Sequence, residues 1–203
     1  MASTVRRSHE ERRTEIADAA LRIIATRGIA ALTVATLASE LGLTGGALYR
    51  HFASTDAILV AVAQRAVELV DGTLPPGDLP PLEWLERFVE SRSTKVGGHP
   101  GLARLLVSDQ LAMALPAPAL EHVQGAVRRT FAAIERALRR GQEVGDVRDD
   151  VDARDLVPIV AGTVQMLALA RAGSHQSRMV VPARTWSALR TLLAVPKAKA
   201  GRR

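Results

Sequence analysis

The 203-residue sequence predicts an all-α protein of about nine helices. Three observations predict it. Alanine, leucine and arginine are abundant along the whole chain. Valine and isoleucine nowhere alternate with polar residues at the period of two that marks a strand. Apolar residues instead recur three and four apart, between capping residues, glycines and prolines that punctuate the chain.

The first helix opens at "SHEE", where Ser8 as N-cap and Glu11 three residues later form a capping box. Ile16, Ala20, Ile23 and Ile24 make its buried stripe. Gly28 is expected to close it as a left-handed cap, with Ile29 as the apolar residue beyond. Thr33 caps a second helix, in which Val34, Leu37, Ala38 and Leu41 follow i, i+3, i+4, i+7 spacing. Gly42 ends it. Thr44 caps a third helix of barely two turns, with Leu48 and Phe52 inward. Ser54 caps a fourth that runs to about Val70. The proline-rich "GTLPPGDLPP" is a stiff connection. Later helices are expected near 81–96, 100–114, 117–142, 152–172 and 183–195, separated by "GGHPG", "LPAPA", "GDVRDD" and "AGSHQSRMVVP". No internal repeat is present.

Composition narrows the function. Apolar residues make up 47% of the chain, enough for a core. The absence of cysteine excludes a disulfide frame and thiolate metal sites. His9, His51, His99, His122 and His175 are scattered and form no close metal-ligand pair, so neither a metal nor another cofactor is expected. "MASTVRRSHEE" has no apolar stretch and is not a signal peptide. The longest uncharged run, Leu156 to Ala170, is shorter than the roughly 20 residues of a membrane helix. A soluble cytoplasmic protein without a membrane partner is the expectation. The net charge of +6 is misleading as a nucleic-acid signal. No acidic residue follows Asp155, and eight Lys or Arg do, so the first 155 residues carry −2. DNA binding has to be argued from a site.

That site is "LTGGALYRHF", Leu43 to Phe52. The second and third helices, joined by the short turn Leu41-Gly42-Leu43, make a helix-turn-helix. With Leu48 and Phe52 inward, Gly45, Gly46, Tyr49 and Arg50 fall on the outward face. That face begins without side chains and ends in a long donor. Such a shape lets backbone and helix N-terminus approach phosphates or base edges closely. Arg50 can reach guanine in the major groove. Tyr49 and His51 can hydrogen-bond phosphates.

The stretch "LTVATLASELGLTGGALYRHFASTDAIL", with the upstream "ALRIIATRG", resembles the DNA-binding domain of the TetR (tetracycline repressor) family of bacterial regulators, over about Arg12 to Val62. The resemblance implies a three-helix domain whose third helix enters the major groove. It implies phosphate contacts from Thr33, Thr44, Tyr49 and His51, with bases read by the helix start and Arg50. Many members carry a phosphate-anchoring lysine just after the residue matching Ser54. Here Thr55 and Asp56 follow instead. Arg6 and Arg7, on the arm before the first helix, could compensate. The implied organisation is a basic arm over 1–7, a DNA-binding domain with its linking fourth helix over 8–70, an effector-binding and dimerisation domain over 71–195, and a solvated basic tail over 196–203. The implied function is a ligand-released repressor that acts as a homodimer on a palindromic operator, its partners being double-stranded DNA, a second copy and a small-molecule effector. The alternative on the same fold is an effector-free architectural or protein-interaction role.

For the second domain the residues speak less. The penultimate helix is apolar nearly all round from Leu156 to Ala170, as expected between a ligand cavity and a dimer partner, or in an ordinary core. Trp186, Leu189 and Leu193 form one stripe on the last helix. An uncovered stripe of this kind is costly, so a symmetric dimer contact made with Val164 and Leu167 is favoured over packing within the chain. Candidate cavity residues are Trp84, Phe88, Leu106, Asp109, Gln110, Met113, Gln165 and Met166. The chain has only six aromatic residues, which disfavours an aromatic cage and favours an apolar or acyl-type ligand. An enzyme is the rival class. Asp149, Asp150, Asp152 and Asp155 are better read as acids at a helix N-terminus, and no nucleophile triad or phosphate loop is present.

Overall fold

A computed structural model describes residues 9–99, 102–106, 109–172 and 182–195, excepting the side chains of residues 104, 109–111 and 182. Among these residues every regular element is a helix, and there is no strand. The helices are α1 (His9–Arg27), α2 (Val34–Leu41), α3 (Gly45–Tyr49), α4 (Thr55–Asp71), α5 (Pro81–Gly98), α6 (Leu102–Leu105), α7 (Asp109–Ala114), α8 (Ala117–Glu143), α9 (Ala153–Ala172) and α10 (Pro182–Leu193), with a 3-10 turn at Ile29–Ala31. The single helix expected near 100–114 is two short ones, α6 and α7. The chain groups into two compact units. One takes the residues up to Asp71 together with His99–Ala126, and the other takes Gly72–Gly98 and the chain from Val127 onward.

The first unit is organised by α1 and α4. The expected stripe Ile16, Ala20, Ile23 and Ile24 is buried, as are Ile58, Val62, Ala63 and Ala66 on α4. Arg65 of α4 donates to Asp18 of α1 at 2.9 Å and to Glu68 at 3.1 Å. These acids raise the pKa of Arg65, its hydrogen bond to Asp18 being the largest cause. Gly28 differs from expectation. Its φ of 83° is positive, but its ψ of 165° lies outside the left-handed helical basin. The reason is that the chain turns at once into the 3-10 turn, of which Gly28 is the N-cap. Gly42 does adopt the left-handed conformation, φ 63° and ψ 32°. The amide of Leu43 then closes on the Ala38 carbonyl at 2.8 Å, the six-to-one bond of a glycine-terminated helix. The Ser8 cap lies outside the described residues.

The second unit has one core, in which Trp84, Leu85 and Phe88 of α5 meet Ile134 and Leu138 of α8, Val160, Val164 and Leu167 of α9, and Trp186, Leu189 and Leu193 of α10. The Trp84 and Phe88 rings stack at 5.4 Å. The α5 and α9 backbones come close at Gly97, where a Cβ would lie 2.9 Å from the Ala168 carbonyl oxygen. This core corrects the reading of the last helix. Val164, Leu167, Trp186, Leu189 and Leu193 are all buried within the chain's own unit, so the Trp-Leu stripe is covered by α5 and α9 and is not a face left for a partner. Periodicity showed that the stripe had to be covered but not by what. The large apolar side chains that α9 and α10 leave exposed are Ile159, Met166 and Leu192. By length and composition α9 could cross a membrane. Here eight of its residues are buried in a folded core.

Candidate nucleic-acid interface

The helix-turn-helix is held by its own caps. The Thr33 hydroxyl accepts from the Thr36 amide at 3.0 Å, and the Thr44 hydroxyl accepts from the Ala47 amide at 3.2 Å. The Ser54 hydroxyl accepts from the Ala57 amide at 3.1 Å and starts α4. A hydroxyl that accepts still has a proton to give. Thr33 and Thr44 are both exposed; the Thr44 hydroxyl has its proton to offer at the surface, while the Thr33 hydroxyl shares a 2.8 Å hydrogen bond with that of Thr36.

Leu48 and Phe52 are buried beneath α3, at 1% and 2% exposure. Gly46, Tyr49 and Arg50 are exposed, Tyr49 at 55%. Gly45 is partly covered instead of facing outward. A Cβ there would touch Val34 of α2 at 3.5 Å, an ordinary contact distance. At Gly46 a Cβ would meet nothing within 4 Å, and neither glycine has a positive φ. Nothing inside the fold therefore requires glycine at either position. Each costs up to about 1 kcal/mol of helix propensity relative to alanine.

Behind this face lies a cationic cluster that the sequence reading missed in part. The Arg13 guanidinium donates to the His51 carbonyl at 2.8 Å and lies 4.3 Å over the Phe52 ring. The His9 and His51 rings are 4.9 Å apart. His51 Nδ1 is buried without a hydrogen-bond partner. Burial first, then the neighbouring His9, Arg12, Arg50 and Arg13, hold the His51 pKa below its ordinary 6.5. The ring is thus neutral at pH 7. A sequence signal for the cluster existed in the Arg12-Arg13 pair of α1, but the contact with His51 spans 38 positions. At the place of the missing lysine stand exposed Thr55 and Asp56, in the first turn of α4. Arg6 and Arg7 lie outside the described residues.

The candidate effector residues are divided between the two units. Trp84 and Phe88 are in the core of the second unit, while Leu106 packs in the first unit beside Val67, Val70 and Ala126. Met113 and Met166 are exposed, at 85% and 54%, and line no described cavity. Gln165 is half-buried. The side chains of Asp109 and Gln110 lie outside those described. The spacing of methionines in sequence carried no information on which face they occupy.

Two short helices joined at a glycine turn, each with a threonine cap, the second exposed on its outer face and set over a cationic base, define a helix-turn-helix DNA-binding protein. The chain's residues 16–62 match the family model for bacterial regulatory proteins of the tetR family. Residues 80–182, just over half of the chain, match the model for the C-terminal domain of SbtR-like transcriptional regulators. The chain belongs to the TetR family of transcriptional regulators. It is 43% identical over 60 residues to the HTH-type transcriptional regulator PksA of Bacillus subtilis (strain 168), a match covering 30% of this chain and 29% of that relative's length. The fold is similar to that of the ketosteroid transcriptional regulator KstR2 of Mycobacterium tuberculosis, with TM-score 0.77 and 19% identity, covering 96% of this chain and 99% of that one. It is similar also to AibR in complex with isovaleryl coenzyme A and operator DNA, with TM-score 0.74 and 17% identity, covering 92% and 100%.

Proposed function

We propose that this regulator is a cytoplasmic repressor that binds a palindromic operator as a homodimer and leaves it when a small apolar or acyl-type effector binds. The observation that carries the reading is the pair Gly45 and Gly46. Their cost has no return inside the chain, and Gly46 opens an exposed face that ends in Tyr49 and Arg50. A surface kept bare at a helix start suits close approach by DNA. In this reading Arg50 contacts bases. Thr33, Thr44, Tyr49 and neutral His51 donate to phosphates, and the arm with Arg6 and Arg7 adds charge where the fourth helix offers Asp56.

The division of labour is a DNA-binding domain over 8–70 and an effector and dimerisation domain over 71–195. The dimer face is the outer side of α9 and α10. Ile159, Gly162 and Met166 fall on one exposed line of α9, and Ala188 and Leu192 on one of α10. A Cβ at Gly162 would meet nothing within 4 Å, which leaves room for a partner helix. The AibR complex with an acyl coenzyme A is a precedent for an acyl effector on this fold. Selection of bound duplexes from a random pool tests the reading. It should return a palindrome with half-sites about one helical turn apart. A pool that stays random at physiological salt favours an architectural role instead.

A further inference from the structure

The second unit carries a cleft of about 270 Å³ at the joint between the 72–80 connection, the start of α5 and the last third of α8. Its floor is apolar, formed by the Trp84 indole with Pro75, Pro81 and Ala137, and its rim carries Arg136 and Arg140, one turn apart on α8. No acidic residue lines it. The acid at the start of α5 and the one beside Arg136 on α8 are engaged with other arginines. Glu83 accepts from Arg87 at 2.6 Å, and Glu135 accepts from Arg139 at 2.8 Å and from Arg154 at 3.1 Å. Asp78, on the connection, forms no ion pair with either rim arginine among the described contacts. Arg140 is oriented by donating to the Gly77 carbonyl at 2.7 Å, and Trp84 Nε1 is spent on the Pro75 carbonyl at 3.2 Å. What the cleft offers a ligand is therefore the small exposed part of the Trp84 indole with its proline neighbours, the remaining N–H groups of Arg140, and an Arg136 guanidinium that makes no ion pair with any described acid.

We propose that this cleft is a binding site for a small organic carboxylate with a short hydrocarbon or single-ring body. The anion sits between Arg136 and Arg140, and the body lies on Trp84. Two guanidinium groups lining one cleft, one turn apart beside an apolar wall, can hold a carboxylate by charge-assisted, geometrically directed hydrogen bonds. The volume falls just below the roughly 300–1,000 Å³ of sites that enclose drug-sized molecules, which sets the ligand's size. This inference does not rest on the operator reading, and its test needs no DNA.

The chain has two tryptophans, so two indole N–H signals are expected in a 15N correlation spectrum, and Trp186→Phe assigns them. The full-length protein is titrated with hexanoate and with hexanamide, its neutral counterpart. Hexanoate is expected to shift the Trp84 indole signal saturably, and hexanamide to need at least about tenfold more for the same shift. Arg136→Gln should reduce hexanoate to the level of the amide, while Arg139→Gln, on the same helix but engaged with Glu135, should not. A melt of each variant checks the fold. Equal response to acid and amide, no saturation by hexanoate up to its solubility, or an undiminished response in folded Arg136→Gln overturns the proposal.

Discussion

The Arg13 guanidinium donates to the carbonyl of His51 at 2.8 Å, so the first helix holds the chain just beyond α3 by its backbone. The same group lies on the Phe52 ring, which anchors that stretch in the core. Arg13→Ala removes both contacts. Hydrogen bonds from charged groups are worth about 1.5–3 kcal/mol, and this one is part-buried, so a loss of about 1–2 kcal/mol in a urea melt is expected. Arg13→Lys should recover only part of it, because an ammonium lacks the planar fork that serves carbonyl and ring together. Unchanged stability in Arg13→Ala would show that the α3 end is held by Leu48 and Phe52 alone.

Arg50 and Tyr49 share the open face but have different expected roles. Arg50→Ala should relax specificity at one operator position, costing about 1–3 kcal/mol there. Tyr49→Phe should weaken binding to every sequence alike, as loss of a phosphate contact does. Titrations against a panel of single-base operator variants separate the two. An even loss across the panel for Arg50→Ala makes Arg50 a backbone contact.

The depressed His51 pKa has a signed consequence. Burial and neighbouring cations lower it in the folded state, so below about pH 6.5 the unfolded chain binds more protons at this site. The contribution of His51 to stability is therefore fully present near pH 7 and is lost as the pH falls through that range. His51→Gln should make the melting temperature fall less steeply between about pH 7 and pH 5. Parallel curves for the two proteins contradict the assignment.

Much of the DNA-binding unit was legible in the sequence because its devices are local. Thr33, Thr44 and Ser54 cap within three residues of themselves, and Gly42 closes α2 against Ala38. What was not legible depends on contacts distant in sequence. The Arg13 contact with His51 is one case, and the different surroundings of Gly45 and Gly46 are another. The Trp186, Leu189, Leu193 stripe is the clearest. Spacing declares that one face of a helix must be covered, but it is equally satisfied by a partner chain or by Trp84 and Phe88.

The proposed dimer face on α9 and α10 gives a contrast between two pairs of substitutions. Met166→Glu with Leu192→Glu changes exposed side chains and should give a folded monomer. Leu189→Glu with Leu193→Glu places charges in the core and should cost more than about 4 kcal/mol, giving an unfolded chain. Light scattering with circular dichroism reads both. A Met166/Leu192 variant that remains dimeric places the interface elsewhere.

If the bare start of α3 is the surface that meets DNA, Gly46 is the position where a side chain must block that contact. Gly46→Leu adds a side chain where the fold has open space and removes a helix-weakening residue. Operator titration of this variant, beside its thermal melt, is the decisive measurement. The expected result is a melt at or slightly above that of the parent protein, by up to about 1 kcal/mol in stability, together with loss of operator binding. Retained operator affinity in the folded variant would contradict it.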